Sequence, residues 1–328
     1  MAKQIIGFDI GERQVKMICV NGTKLKTAGT AQLPDNLINQ GEILSMDAMG
    51  DFLKSAAREL NIPRGDAAVV LPSSLVYVRS AVEVPAMSIS QLAFNLPYEF
   101  NDYLTEDKSQ YIFDYAVRET IPGEDGQPES FSLFACAALR KAIEQYRAMF
   151  RRAGFRLKVA LPGEFALSNL LAPLPQEQDY CIVDVGHNDC QIDIFHGRSH
   201  SLRRTIDQGM AELDQAIADE WDVDIHVART YKLSNYNDAL ELEGSQELYR
   251  SLAVEVLKAV NFYNYNNRDS MLEDLYLCGG GAAIPALREA IASQTNLNVH
   301  LGSELLPDTE GLEEPWLYLP AWGATQNL

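Results

Sequence analysis

Two aspartates at the ends of apolar runs are the residues of this 328-residue sequence best placed to do chemistry. Asp9 closes the run IIGFD and Asp184 closes CIVD, and a glycine follows two positions later in each case, Gly11 and Gly186. This pattern predicts a buried strand that enters a tight hairpin. If the two hairpins face each other across a cleft, their backbone N–H groups can bind a polyphosphate while the carboxylates hold a hydrated Mg²⁺ ion. The pair therefore predicts a nucleotide site.

A third glycine site follows later in the chain, where Gly279, Gly280 and Gly281 come directly after the apolar run LYLC. We predict a helix that starts near Ala282, so these glycines would let a nucleotide base or ribose approach the backbone without an intervening side chain. A single glycine run is typical of any flexible turn. As the third such site after two Asp-x-Gly hairpins, it strengthens the prediction of a nucleotide site.

The segments around these motifs predict a duplicated, two-lobed α/β architecture. Residues 4–33 read as three strands with short turns, and the same pattern returns at 179–207, so that Asp184 lies 175 positions after Asp9. The predicted boundaries are 1–175 for the first lobe, about 80–138 for an α+β subdomain inserted in it, 176–328 for the second lobe, and about 315–328 for a last segment that returns to the first lobe.

Helix signals fill the space between these strands. Apolar residues recur at helical spacing over about 47–60, after a possible cap at Ser45 or Asp47, and a helix over about 139–153 ends at Gly154. The acidic run DEWDVD (219–224) lacks the ligand spacing of a calcium loop, so we interpret it as the solvated end of a helix.

Composition narrows the functional class. Asp and Glu number 46 against 27 Lys and Arg, giving a net charge of -19, which argues against a nucleic-acid partner. The five cysteines lack CxxC spacing, which favours a reducing compartment. We see no charged-then-apolar leader and no apolar stretch near the roughly 20 residues of a bilayer span. We therefore expect a cytoplasmic protein without direct membrane insertion.

The order Asp-Ile-Gly, Asp-Val-Gly, Gly-Gly-Gly resembles the two phosphate motifs and the adenosine motif of the superfamily of actin and the sugar kinases, over nearly the whole chain. Within it, the sequence is similar to the PilM family of type IV pilus assembly proteins. That likeness is carried by SSLVYVRSAVEVPAMSISQLAFNLPYEFNDYL (73–104), KVALPGEFALSNLL and YLCGGGAAIPALREAI. It implies an actin-like, ribonuclease H-like fold with a duplicated pair of lobes.

The resemblance implies ATP or ADP with Mg²⁺ as cofactor, with Asp9 and Asp184 holding the metal through water. The implied cofactor-binding residues are Asp9, Gly11, Glu12, Arg13, Lys16, Asp184, Gly186, His187, Asn188, Gly209, Gly279, Gly280 and Gly281.

The family also implies partners. PilM proteins bind the N-terminal cytoplasmic segment of the inner-membrane protein PilN, in a groove between the first lobe and the inserted subdomain. This would place the chain at the inner face of the cell membrane, and the resemblance suggests the pilus motor ATPase as a further partner. The implied groove residues are Leu75, Tyr77, Val84, Met87, Leu92, Leu96 and Tyr98. Each of them could instead be a core residue of the subdomain.

Both predicted phosphate hairpins depart from the superfamily pattern. Glu12 and Arg13 stand where a hydroxyl residue usually follows the first glycine, and His187 and Asn188 occupy the matching place in the second hairpin. An acidic side chain there would oppose a triphosphate unless a nearby cation compensated. We therefore expect weak or absent ATPase activity. Glu164 is the candidate for positioning a water molecule, and its alternative role is a helix-start carboxylate.

Two alternatives remain open: a small-molecule kinase of the same fold, and a filament-forming protein similar to FtsA. The spacing of His196 and His200 in HGRSH could suit zinc, but the two histidines lie on a predicted hairpin and no second ligand pair is visible. The sequence contains no GxSxG, HExxH, GxxxxGK[ST] or GxGxxG motif, which weakens the hydrolase, metalloprotease, P-loop and dinucleotide classes.

Overall fold

A computed structural model describes residues 4–39, 41–123, 127–267 and 271–326. Its first half contains β1 (Gln4–Ile10), β2 (Gln14–Asn21), β3 (Lys24–Gln32), β4 (Ile38–Asn39), β5 (Glu42–Ile43), α1 (Met46–Glu59), β6 (Asp66–Leu71), β7 (Val76–Pro85), α2 (Ile89–Asn95), β8 (Tyr111–Pro122), β9 (Pro128–Leu139), α3 (Arg140–Ala153), β10 (Arg156–Pro162) and α4 (Gly163–Leu171). Its second half contains β11 (Asp179–Val185), β12 (Cys190–His196), β13 (Ser199–Ile206), α5 (Met210–Trp221), α6 (Ile225–Ser234), α7 (Glu243–Asn266), β14 (Asp274–Cys278), α8 (Pro285–Thr295), β15 (Asn298–Leu301) and α9 (Leu319–Gly323).

Two five-stranded sheets of the same construction confirm the predicted duplication. The first has the order β10-β6-β1-β2-β3 and the second β13-β12-β11-β14-β15. In each sheet the three-strand meander is antiparallel, and the strands added beside β1 and β11 run parallel to them. Because β1 and β11 occupy the same central place in their sheets, the turns that follow them are structurally equivalent.

Each central strand is buried on both faces, as its unbroken apolar run predicts. Ile6 and Phe8 of β1 pack with α1 and α3, while Ile5 packs with α4 and α9 on the opposite face. The α4–α9 layer also covers Tyr180 of β11 and Phe195 of β12. One apolar layer therefore lies between the two sheets. By contacting both sheets it fixes their relative position, with one edge of each sheet facing a single cleft.

Two predicted helix ends are confirmed, whereas one predicted helix start was wrong and one helix was not predicted. The Ser45 hydroxyl caps α1, and Gly154 ends α3 with φ 94°. The prediction of a helix from Ala282 was wrong, because Gly280–Ala283 form a 3₁₀ turn and α8 begins at Pro285, where a fixed proline φ suits the first turn. Helix α6 was not predicted, since left-handed residues at Asp222 and Asn235 isolate a short segment.

A three-stranded sheet of order β7-β9-β8 forms a separate unit between β6 and α3. Helix α2 and a 3₁₀ turn at Leu96–Phe100 cover one of its faces, and their apolar side chains share a core with the strands. The connection between β8 and β9 lies partly outside the described residues. Strand β7 forms one edge of this sheet, next to the first lobe.

The short helix α9 brings the end of the described chain back against the first sheet. It contacts α4, β1, β2 and β6, and Trp322 is fully buried there. The approach is close because Gly7 has no side chain: an added Cβ would lie 1.9 Å from the Ala321 carbonyl oxygen. None of the described helices combines the length and the apolar character needed for a bilayer span.

We expect Gly7→Ala to displace α9 from the sheet, because the clash is with backbone that cannot rotate away. Overpacking of this kind lowers the free energy of unfolding by about 1–3 kcal/mol. The matched control is Gly65→Ala, whose Cβ would meet only the end of Ile6, at 3.3 Å. Thermal melting checks the prediction, and equal melting temperatures for the two variants would contradict it.

Candidate functional site

The two Asp-x-Gly turns line one cleft of about 1100 Å³ between the lobes. Each glycine N–H is used inside its own hairpin: Gly11 donates to the Gln14 carbonyl over 3.1 Å, and Gly186 to that of Asp189 over 2.9 Å. These two N–H groups therefore set the shape of the turns and are not free for a ligand. Asp9 and Asp184 lie at the start of the turns, at the cleft wall.

Lys16 supplies the positive charge between these carboxylates. Its Nζ lies 2.9 Å from Asp9 Oδ2. Burial alone would lower the pKa of the ammonium, but Asp9 and then Asp184 outweigh burial and raise it. Burial also raises the pKa of Asp184 to about 6, and Lys16 opposes that shift. The base of the cleft is thus a partly buried group of two carboxylates and one ammonium.

The acidic side chain of the first hairpin also lines the cleft. The Glu12 carboxylate accepts a hydrogen bond from the Gly41 backbone N–H. Arg13 reaches across the cleft, where its Nε donates to His187 Nε2 over 2.9 Å, and it also pairs with Asp35. Arg13 and His187, one of the departing residues from each hairpin, are therefore in contact with each other.

The second hairpin is held from behind by α5. Met210 N donates to the Gly186 carbonyl over 3.0 Å, and Ala211 N to the His187 carbonyl over 2.8 Å. Gly209 permits this contact, because an added Cβ there would lie 2.5 Å from the His187 oxygen. Gly209 therefore acts in packing behind the hairpin, while Asn188 lines the cleft.

The three glycines of the run also differ in whether they line the cleft or pack behind it. Gly280 lines the cleft with nothing within 4 Å of an added Cβ, so the wall there is open to a ligand. Gly279 has φ 78°, and a Cβ there would lie 2.2 Å from Asp184 Oδ1, so only glycine lets the strand end pass this carboxylate. Gly281 packs on Val185 and does not line the cleft.

A second charged group in the cleft was missed from the sequence. Asp214 on α5 is fully buried and pairs with Arg229 Nε at 3.1 Å and with Lys232, both on α6. All three residues line the cleft. The spacing of Arg229 and Lys232 indicates that they act together, because residues three positions apart share one face of a helix, here α6. That signal could be used only once α6 itself had been recognised.

A third group, which we call the Arg203 cluster, consists of Glu164, Asp193, His200 and Arg203. Arg203 donates to Asp193 from Nε (2.9 Å) and Nη2 (2.7 Å), and its Nη1 lies 2.7 Å from Glu164 Oε1. His200 Nε2 lies 2.8 Å from Asp193 Oδ1. Burial would raise the pKa of Asp193, but Arg203 and His200 together hold it below its usual value.

Glu164, the candidate for positioning a water molecule, belongs to this cluster. It lies in the first turn of α4 and is 5% exposed. Burial raises its pKa, and Arg203 opposes the shift. The side chain pairs with Arg203 rather than with a group at the base of the cleft, so its geometry is that of a carboxylate in a buried ion-pair cluster.

The predicted groove residues divide by burial. Val84, Leu92 and Leu96 are buried in the subdomain core, and Tyr77 and Met87 pack against it. Leu75 packs against the first-lobe core instead. Tyr98 alone of the seven is largely exposed, at 53%. Two unpredicted neighbours on α2 are more exposed, Ile89 at 79% and Phe94 at 70%.

The residues at the base of the cleft fit a magnesium nucleotide. Carboxylate oxygens such as those of Asp9 and Asp184 are the ligands Mg²⁺ prefers, usually with several waters retained. The cleft is as large as the largest typical small-molecule pockets, which reach about 1000 Å³. The histidines considered for zinc have other partners: His196 pairs with Asp179, and His200 with Asp193.

Comparison with solved structures shows the fold. A structure described as a PilM–PilN type IV pilus biogenesis complex superposes with a TM-score of 0.82 at 19% identity, covering 99% of this chain and 98% of that one. The ethanolamine utilization protein EutJ from Carboxydothermus hydrogenoformans gives 0.61 at 12% identity, covering 98% and 89%. MreB5 of Spiroplasma citri bound to ADP gives 0.51 at 14%, covering 98% and 94%. The predicted actin-like fold is confirmed.

The sequence itself identifies the family. No curated protein matches it. A family model described as type IV pilus assembly protein PilM matches residues 7–304, which is most of the chain and includes the two hairpins, the inserted subdomain and the glycine run. The chain belongs to the PilM family of type IV pilus assembly proteins.

Proposed function

We propose that this protein is a pilus assembly scaffold whose cleft binds ATP or ADP with Mg²⁺ and whose first lobe docks the cytoplasmic tail of a PilN-type membrane protein. The observation that carries the nucleotide part is the partly buried group of Asp9, Lys16 and Asp184 in a cleft lined by both hairpins. The ADP bound by MreB5, a protein of similar fold, supports the same choice of ligand.

The residues of the cleft would have different roles in binding the nucleotide. Asp9 and Asp184 would hold the magnesium ion through water, and Lys16 would contact phosphate oxygens. Gly280 would leave room for the ribose or base beside the wall formed by Ile284 and Ala283. The metal would neutralise phosphate charge in a cleft whose lining carries more carboxylates than cations. Binding of this kind needs no catalytic base, which suits a scaffold.

A recess beside the subdomain supports the docking part of the proposal. A cavity of about 340 Å³ opens where the subdomain meets both lobes, and its walls include Val76, Val78 and Ser80 of β7. Strand β7 is an edge strand, and an edge strand can pair with an extended peptide. The similar structure named as a PilM–PilN complex supports a PilN-type segment as the partner. Such docking would hold the chain at the cytoplasmic face of the inner membrane.

We expect Val78→Arg to weaken binding of a PilN-type N-terminal peptide at least 10-fold, because the larger charged side chain fills the recess. The matched control is Val117→Arg, the same change on β8 at the far edge of the same sheet, where the valine is already 49% exposed. Fluorescence anisotropy with a labelled peptide measures the affinity, and thermal melting checks folding. Equal affinities for the two folded variants would refute this docking site.

A further inference from the structure

A side-chain bridge crosses the cleft at the tips of the two hairpins. Arg13 Nε donates to His187 Nε2 over 2.9 Å, and Arg13 pairs with Asp35 on its own lobe. Arg229 Nη1 of the second lobe lies 3.6 Å from the same Asp35 carboxylate. We call these four residues the cross-cleft bridge. Arg13, Asp35 and His187 all line the cleft that holds Lys16.

The hydrogen bond between Arg13 and His187 links a positively charged guanidinium to an uncharged imidazole. Burial, together with the nearby charges of Arg13, Lys232 and Arg229, lowers the pKa of His187 to about 4, although Asp214 opposes the shift. The imidazole is therefore uncharged near pH 7, and its Nε2 accepts from the guanidinium. A phosphate would accept through a charged oxygen, often two at once, so it would add an ion-pair attraction that a neutral imidazole does not offer the guanidinium.

We propose that Arg13 exchanges partners: without a ligand it joins the two hairpins through His187, and a polyphosphate in the cleft replaces His187 as its acceptor. This inference rests on the proposed nucleotide function and names Arg13 as the residue that would contact the phosphates from the first hairpin. His187 then competes with the ligand for Arg13. Removing either residue should therefore change the affinity for nucleotide, but in opposite directions.

Calorimetric titration of the full chain with ADP and Mg²⁺ tests the exchange, using Arg13→Ala, His187→Ala and the double variant. We expect Arg13→Ala to weaken ADP binding at least 10-fold. We expect His187→Ala to raise the affinity by up to about 10-fold, since Arg13 is then free for phosphate. The double variant should match Arg13→Ala, because His187 competes only when Arg13 is present.

The control is Arg152→Ala, which removes a surface arginine paired with Asp51 outside the cleft. Circular dichroism and melting establish that each variant is folded. Unchanged affinity in Arg13→Ala, or equal losses in both single variants, would overturn the exchange while leaving the nucleotide proposal intact. Absence of any ADP binding by the unmodified protein would overturn both.

Discussion

Replacing Arg203 with methionine should lower the free energy of unfolding by about 3–5 kcal/mol, because breaking a buried ion pair leaves an uncompensated charge. Asp193 and Glu164 have side chains only 4% and 7% exposed, and both depend on this guanidinium. Methionine keeps much of the volume of arginine, so the loss of charge dominates. Chemical denaturation measures the change.

The neighbouring arginine provides the control. Arg204 pairs with Glu255, but its side chain is 39% exposed. Exposed ion pairs contribute about 0–1 kcal/mol, so Arg204→Met should change stability by no more than that. Similar losses for the two variants would mean that the Arg203 cluster is solvated in solution rather than buried.

Replacing Lys16 with methionine should weaken binding of ADP with Mg²⁺ about 10- to 100-fold, since charged hydrogen bonds contribute about 1.5–3 kcal/mol. The change also leaves Asp9 and Asp184 facing the phosphates without the ammonium that lies 2.9 Å from Asp9. Calorimetry measures the affinity.

Lys26→Met, which removes an exposed lysine from β3 of the same sheet, is the matched control for Lys16. It should bind ADP as the unmodified protein does. If Lys16→Met also retained full affinity, the phosphates would have to lie elsewhere in the cleft.

The fold and the base of the cleft could be predicted because their signals are local and repeated. Two apolar runs that end in Asp-x-Gly reveal equivalent strand ends, and strand equivalence places Asp9 and Asp184 at one cleft. The bridge between Arg13 and His187 could not be predicted, because it depends on how the two lobes are set relative to each other. The layer formed by α4 and α9 sets that relation through contacts far apart in sequence.

The sequence also did not show which apolar side chains of the inserted subdomain are buried. Val84, Leu92 and Leu96 were implied as groove residues, yet they lie in the core of the small three-stranded sheet. The spacing of apolar residues on a short helix shows which of them share a face, but not which face meets the sheet. Asp193 did carry a usable signal, since a charge within the apolar run CQIDIF of a central strand requires a buried partner.

Hydrogen–deuterium exchange with and without ADP and Mg²⁺ tests most directly whether the two hairpins form one nucleotide site. We predict that amides of residues 12–16 and 187–191 slow together on saturation, while those of β8 and β9 exchange as before. Protection of one hairpin alone, or of neither at a concentration where calorimetry detects binding, would contradict a shared site between the lobes.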